Sequence, residues 1–482
     1  MDRSRSSLHA PQPGTDDMAQ ALARFRASNP AYAGTGVIDE LRQSEYRRLD
    51  DLGHTYLDYT GGSLYAESQV REHMELLLHG VFGNPHSSNP TSSAATHLAE
   101  TARQDVLRHF RASPDEYAVI FSQNASGAIK LVAESYPFSE GSRLLLTTDN
   151  HNSVNGLREF AAGKGATVHY VPVREDMLLD SDDLSSALGA GSWAGPSLFA
   201  YPAQSNFSGV QHDLGWISLA QAQGYDVLLD AAAFAPTNEL RLDRVHPDFV
   251  DVSFYKMFGY PTGVGCLIAR HEALRKLRRP WYAGGTVEFA SVSAFHGRGS
   301  AHRLVKGPFA FEDGTLDYLA LPAVSIGLRH LEQVGMDTIH LRVMLLTGWL
   351  LGAIKELGRH EGAPRCEIYG PTDCTSRGAT ILFNLLDRDG RPLDYAVVQR
   401  AADAQGISIR SGCHCNPGAR EIAMRMSPKL LEESFSHRDA SDGELPASVN
   451  ELLSGGLRVS LGIVSNFADV YRLLEFIRGF IA

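Results

Sequence analysis

Apolar runs that stop abruptly on polar residues recur along this chain. YAVIF at 117–121 leads into SQNASG, RLLLT at 143–147 into TDNHNSVNG, SLFAY at 197–201 into PAQSNFSG, YDVLL at 225–229 into Asp230 and three alanines, and FVDVSF at 249–254 into YKMFGYPTG. Runs of this length, rich in β-branched and aromatic side chains, predict buried strands, and the stretch 126–135 between the first two predicts a helix. MAQALARFRASNPAY and VIDELRQSEYRRL have helical periodicity, which predicts a helical arm over 18–54. Residues 55–320 then form a large domain. From 321 a long helical region leads into a smaller C-terminal unit, 321–482, containing the strand pattern GATILFNLL, a DG turn, the helix pattern YAVVQRAADAQG and the strand and loop ISIRSGCHCNPGA. In open α/β sheets, ligands bind outside the carboxyl ends of the strands. The polar residues that follow these runs therefore define one expected site.

Composition narrows the class. The chain has 482 residues, 43% of them hydrophobic, enough to bury a large core in two or three units. A net charge of −12 argues against a nucleic-acid or anionic-membrane partner, and the densest basic run, RKLRRP at 275–280, predicts a solvated helix end. No stretch approaches the roughly 20 apolar residues of a membrane span. Five cysteines, an odd number, point to a reducing, cytoplasmic setting. Residues 1–17 are polar and contain proline, lack the apolar centre of a signal peptide, and are expected to be disordered.

Two strand ends carry the sharpest chemistry. Lys256 follows an apolar run and is flanked by Tyr255, Met257 and Phe258. Either its stem packs while the amine reaches water, or the amine is buried for covalent work, since desolvating an ammonium is costly. Asp230 ends the preceding run, and the small alanines after it let a flat group approach the backbone. A lysine for an aldehyde and an acid for a ring nitrogen are what pyridoxal phosphate needs to act as an electron sink. Ser126 opens a helix, and a helix N-terminus is a ready anion site, although an ordinary capped start has the same look. His151 and Asn206 follow two further strands. In the second constellation, Cys413, His414 and Cys415 come just after Arg410 and Ser411. One close cluster without a second pair of ligands makes a metal site unlikely by spacing, so no metal is expected. The cysteines are either incidental thiols or include a nucleophile that Arg410 and His414 keep ionised in an exposed, mobile loop.

SFYKMFGYPTG, LLDAAAF and RSGCHCNPGA resemble the motifs of class V aminotransferase-type enzymes, pyridoxal-phosphate proteins of fold type I that include cysteine desulfurases. Within that group they resemble the desulfurase domain of molybdenum cofactor sulfurases, from about TYLDYTGGSLY at position 55 to the C-terminus. The resemblance implies an α/β fold with a large, mostly parallel sheet domain and a smaller C-terminal α/β domain. It implies Lys256 as the cofactor lysine and Asp230 as the ring-nitrogen partner. His151 would stack on the ring and handle protons, and Asn206 would bond the ring hydroxyl. Ala125, Ser126 and Ser253 would hold the phosphate. Thr315, in FEDGT, would reach the phosphate of the neighbouring subunit of a homodimer. Arg458, in GGLRVSLG, and Arg410 would bind the substrate carboxylate, and Cys415 would carry a persulfide. Asn124 and Ala125 stand where Gly-Thr is usual, Tyr255 where bacterial desulfurases have histidine, and Ala233 where many have glutamine. The polar stretch SPKLLEESFSHRDASDGELPASVN is an insertion typical of the subgroup. The implied activity is a cysteine desulfurase that passes sulfur to a protein or small-molecule acceptor. Its rivals are a C–S β-lyase or decarboxylating enzyme on an S-substituted cysteine, an aminotransferase, and a non-catalytic sulfur-relay scaffold.

Overall fold

In the computed structural model, residues 15–191, 193–295, 301–357, 365–429, 431–432 and 455–481 are described. The disorder expected of residues 1–14 and most of the polar insertion at 427–450 lie outside them. Helix α1, Thr15–Ser28, begins three residues before the expected start of the arm.

The five predicted strands and two others assemble in one seven-stranded sheet made of β1 (Tyr117–Ser122), β2 (Arg143–Thr147), β3 (Thr167–Val171), β4 (Ser197–Pro202), β5 (Tyr225–Asp230), β6 (Phe249–Ser253) and β7 (Gly265–Arg270), the two others being β3 and β7. Their order is β1-β7-β6-β5-β4-β2-β3. All neighbours run parallel except β7, which is antiparallel to both β1 and β6. Both faces of the central strands are covered, which is why β4, β5 and β6 are buried from end to end and read as nearly continuous apolar runs. Helix α2 (Ala125–Ser135) packs on one face beside Leu228, Phe249 and Leu267.

The smaller unit is a four-stranded antiparallel sheet of β8 (Cys366–Tyr369), β9 (Thr380–Leu385), β10 (Arg410–Gly412) and β11 (Gly456–Ser460), in the order β8-β9-β11-β10. The arm belongs to this unit's core, where Phe25 stacks on Phe467 with ring centroids 5.0 Å apart. A buried ion pair from Arg42 to Asp469, 2.6 Å, fixes the arm to the C-terminal helix Phe467–Ile481. Thr55 and Tyr56, at the expected start of the large domain, pair with Ile407 and Ser408 of the smaller unit. Conversely, helix Leu321–Val334, at the expected start of the small domain, contributes Val324, Leu328 and Leu331 to the core of the large sheet.

The helix Met336–Glu356 is long and apolar enough, by length and composition, to cross a membrane, which the sequence reading overlooked. Here it is a core helix. Val343, Leu346, Leu350 and Ile354 pack in the smaller unit, and the buried guanidinium of Arg342 bonds Asp39 of the arm.

Candidate active site

The site forms at the carboxyl edge of the large sheet, around a cavity of about 140 Å³. Ser126, His151, Asn206, Asp230, Ser253 and Lys256 all line it, each delivered by the end of a different element or by the turn that follows. Strand β6 stops at Ser253, one residue earlier than its apolar run, and Phe254–Phe258 forms a single helical turn, α3, that carries Lys256. Lys256 therefore sits on a helix rather than at the end of a strand. That turn is seated by Phe258, whose ring fills the space a side chain at Gly327 would occupy; any Cβ there would clash with it. Gly265 does the same for the other wall, because a Cβ there would lie 2.6 Å from the Cα of Asn124 at the start of α2.

Burial lowers the pKa of the Lys256 amine, opposed by the nearby carboxylate of Asp230. The pocket thus favours the neutral amine that condensation with an aldehyde requires. Asp230 Oδ1 accepts the backbone N–H of Ala232 at 2.9 Å, which fixes the carboxylate at the cavity floor. Burial also lowers the pKa of His151. Its Nδ1 accepts the N–H of Ser153 at 3.1 Å, so the neutral ring carries its proton on Nε2.

The anion end differs in detail from the expectation. The N–H of Ala125 donates to Ser253 Oγ at 2.9 Å, so these two residues are paired with each other. Asn124 caps the helix through Gly127 N–H, at 3.0 Å. Ser126 lies 2.5 Å from Ser153, hydroxyl to hydroxyl. The two hydroxyls and the start of an eleven-residue helix make this end suited to an oxyanion. Ser153 and Gln204, which also line the cavity, were missed in the sequence because hydroxyl and amide residues in polar turns carry no distinguishing pattern.

The cysteine loop reaches the cavity from the smaller unit. His414 and Cys415 take consecutive left-handed conformations, φ 53° and 55°, a costly arrangement for residues other than glycine. The Asn206 side chain and the Asn152 backbone of the large domain bond to it. Asn206 Nδ2 donates to the carbonyl of His414 at 2.7 Å, Asn206 Oδ1 accepts from Asn416 at 3.0 Å, and the carbonyl of Cys415 accepts the N–H of Asn152 at 2.7 Å. Asn206, expected to serve a ring hydroxyl, thus spends most of its amide on the loop. The His414 ring is buried, its pKa lowered to about 3, mainly by burial, so it is neutral and is not the cation that was expected to keep Cys415 ionised. Cys413 and Cys415 remain exposed on either side of it.

Arg458 is buried, and burial lowers the pKa of its guanidinium. Its guanidinium donates to Asp58 Oδ1 at 3.0 Å and to the carbonyl of Asn206 at 2.9 Å, while its Nε–H has no partner among the described residues. Arg410 holds the other oxygen of Asp58 at 2.7 Å. Both predicted carboxylate binders are therefore bridged by a carboxylate that the sequence reading passed over. A substrate carboxylate entering here competes with Asp58. Thr315 lies apart, lining a separate cavity of about 470 Å³ and accepting a hydrogen bond from Asn84 at 3.2 Å.

The aminotransferase class-V family model matches residues 55–473. Among curated proteins, the molybdenum cofactor sulfurase of Bos taurus is 36% identical over 471 residues, covering 92% of this chain and 52% of the relative. That of Arabidopsis thaliana is 32% identical over 485 residues, covering 92% and 58%. The chain spans little more than half the length of these relatives. Among solved structures, the cysteine desulfurase from Thermococcus onnurineus NA1 superposes with a TM-score of 0.75 at 23% identity, covering 92% of this chain and 98% of that one. The cysteine desulfurase CsdA from Escherichia coli gives 0.70 at 20% identity, covering 92% and 99%. The fold expected from the motifs is thereby borne out.

Proposed function

The chain belongs to the aminotransferase class-V family, whose cofactor is pyridoxal 5′-phosphate, and from that premise we propose that it is a cysteine desulfurase acting through a persulfide on Cys415. The observation that carries the proposal is the tethering of the loop with the exposed Cys415 to Asn206, which lines the cavity that holds Lys256 and Asp230, and to Asn152, at a cost in backbone strain.

The residues present fit the cofactor. Ser126 and Ser153 at the helix start suit its phosphate, Asp230 its ring nitrogen, Ala232, Ala233 and His151 its flat faces, and Lys256, whose pKa burial lowers, its aldehyde. When bound, the cofactor would supply an aldehyde for the substrate amine and a sink for electrons drawn from Cα. Lys256, in the same cavity, would accept the Cα proton. Asp230 would hold the ring nitrogen protonated. Arg458 would draw in the substrate carboxylate as Asp58 yields. The Cys415 thiolate attacks the substrate sulfur. An S–S bond forms as the Cβ–S bond breaks, its electron pair stays on carbon and takes a proton, and alanine leaves while the sulfur remains on Cys415.

The same reading places the protein in a reducing cytoplasm, consistent with five free cysteines among the described residues. It also makes the protein a homodimer in which Thr315, remote from its own cavity, serves the neighbouring subunit. Sulfur acceptors are a protein or a small molecule. Product analysis tests the activity. Cysteine is expected to give alanine and protein-bound sulfur in equal amounts, whereas pyruvate, ammonia and free sulfide would show a C–S lyase instead.

A further inference from the structure

Behind Asp230 lies a second buried acid that the mechanism does not use. Asp251 is in the middle of β6, fully buried, and directly opposite Asp230 in the parallel β5–β6 register. Directly opposed residues point to the same face of a sheet. On that face Asp251 follows Phe249, and Asp230 follows Leu228, both in the apolar cluster covered by α2. Neither oxygen of Asp251 has a hydrogen-bond donor among the described residues. The register sets its carboxyl beside that of Asp230 on the neighbouring strand, and the two act on each other. An ionised aspartate in such a place is untenable without a donor, and two carboxylates in contact cannot both ionise. One proton must be shared. Asp230 is the better-placed anion, because it accepts the N–H of Ala232 while neither oxygen of Asp251 has a donor among the described residues, so the proton resides on Asp251.

We propose that Asp251 is a permanently protonated positioning residue that donates a hydrogen bond to the Asp230 carboxylate, orienting it and weakening its basicity toward the ring nitrogen of the cofactor. The proposal rests on the reading of Asp230 given above. The titratable groups acting on Asp251 are Asp230 from β5, Lys256 from α3 and Cys266 from β7. Burial raises the pKa of Asp251 well above the usual aspartate range, and that of the Cys266 thiol as well, so both remain neutral at ordinary pH. A carboxylic acid kept neutral so that it can donate a hydrogen bond is an established device of active sites. The sequence held a signal for it: a carboxylate inside an otherwise apolar strand, FVDVSF, where acids are almost never buried unpaired.

Infrared difference spectroscopy of the apoprotein tests this without turnover. At neutral pH the wild type is expected to show the C=O band of a protonated carboxylic acid, and Asp251→Asn to lack it. Absence of the band from the wild type, or its persistence in Asp251→Asn, would overturn the proposal. A second measurement follows the pH midpoint of the visible absorbance after loading with pyridoxal phosphate. Asp251→Asn keeps a donor and is expected to hold the midpoint near that of the wild type, whereas Asp251→Leu, with thermal melting as the check on folding, is expected to raise it by about one pH unit. Equal midpoints in a folded Asp251→Leu would also overturn it. Failure of the protein to take up pyridoxal phosphate would instead overturn the reading of the whole site and leave the infrared result standing.

Discussion

The two walls of this active site are built on opposite plans. The wall formed by the large sheet takes its side chains from strand ends and the turns after them, so Lys256, Asp230 and His151 are positioned by a buried backbone ladder and by apolar packing such as Phe258 against Gly327. The wall formed by the cysteine loop has no such ladder beyond Gly412. It is held by single hydrogen bonds from Asn206, Asn152 and Asn416, against the cost of two left-handed residues in a row. The difference matches the tasks. A cofactor is best held in one geometry, while under the proposed function Cys415 would collect sulfur and present it to an acceptor, and an exposed loop on a few breakable bonds can do both.

Breaking each wall in turn separates the two roles. Lys256→Ala is expected to lower turnover most, by about 10⁴-fold, through loss of the proton-transferring amine. It is also expected to remove the covalent link, so that the pyridoxyl label left by borohydride on the SFYK peptide of the wild type disappears. In the apoprotein the sign of the effect on stability reverses. Because burial lowers the Lys256 pKa below its ordinary 10.5, the fold pays a penalty for the charge below the lowered pKa, and that penalty fades as pH rises toward 10.5. Lys256→Met is therefore expected to melt at a higher temperature than wild-type apoprotein at neutral pH, with the gap closing in alkali.

Cys415→Ser breaks the other wall. Its turnover with cysteine is expected to fall by about 100-fold or more, with the absorbance of the bound cofactor unchanged, because a serine hydroxyl stays protonated where a thiol can ionise. Asn206→Ala sharpens the contrast by cutting the connection between the walls. Loss of its bond to the His414 carbonyl is expected to cost about tenfold in turnover through misplacement of Cys415. The smallest effect is on stability alone. His414 titrates near 6.5 when unfolded and at about 3 in the fold, so the unfolded chain binds the extra proton between these values. Wild type is expected to lose stability as pH falls through that window, and His414→Asn, which tolerates the same backbone, to lose less; urea unfolding at pH 7 and pH 4 measures the difference.

The same contrast governs what the sequence made legible. The sheet wall could be read because each strand is a continuous apolar run and each functional group interrupts polarity at its end; Ser126, His151, Asn206, Asp230 and Lys256 all reach one cavity. What escaped the reading depends on partners distant in the chain. Asp58 meets Arg410 and Arg458 across 352 and 400 residues, and nothing local marks it as their counter-ion. The resemblance marks Asn206 for a ring hydroxyl, but nothing local shows that its amide also bonds a loop 208 residues away. The neutrality of His414 was equally hidden, since sequence proximity to Cys415 suggested a cation and burial removed it. The membrane-like hydropathy of Met336–Glu356 is the reverse case, a local signal that packing against the smaller sheet and the arm explains.

The most direct test of the account is the mass of the peptide containing Cys413 and Cys415 after a single turnover with cysteine, alkylation and digestion without reductant. The account predicts one added sulfur on Cys415, matched by one alanine released per site, and none in Cys415→Ser. An unmodified peptide in an active enzyme, or full activity of Cys415→Ser on a cysteine-derived substrate, would contradict it.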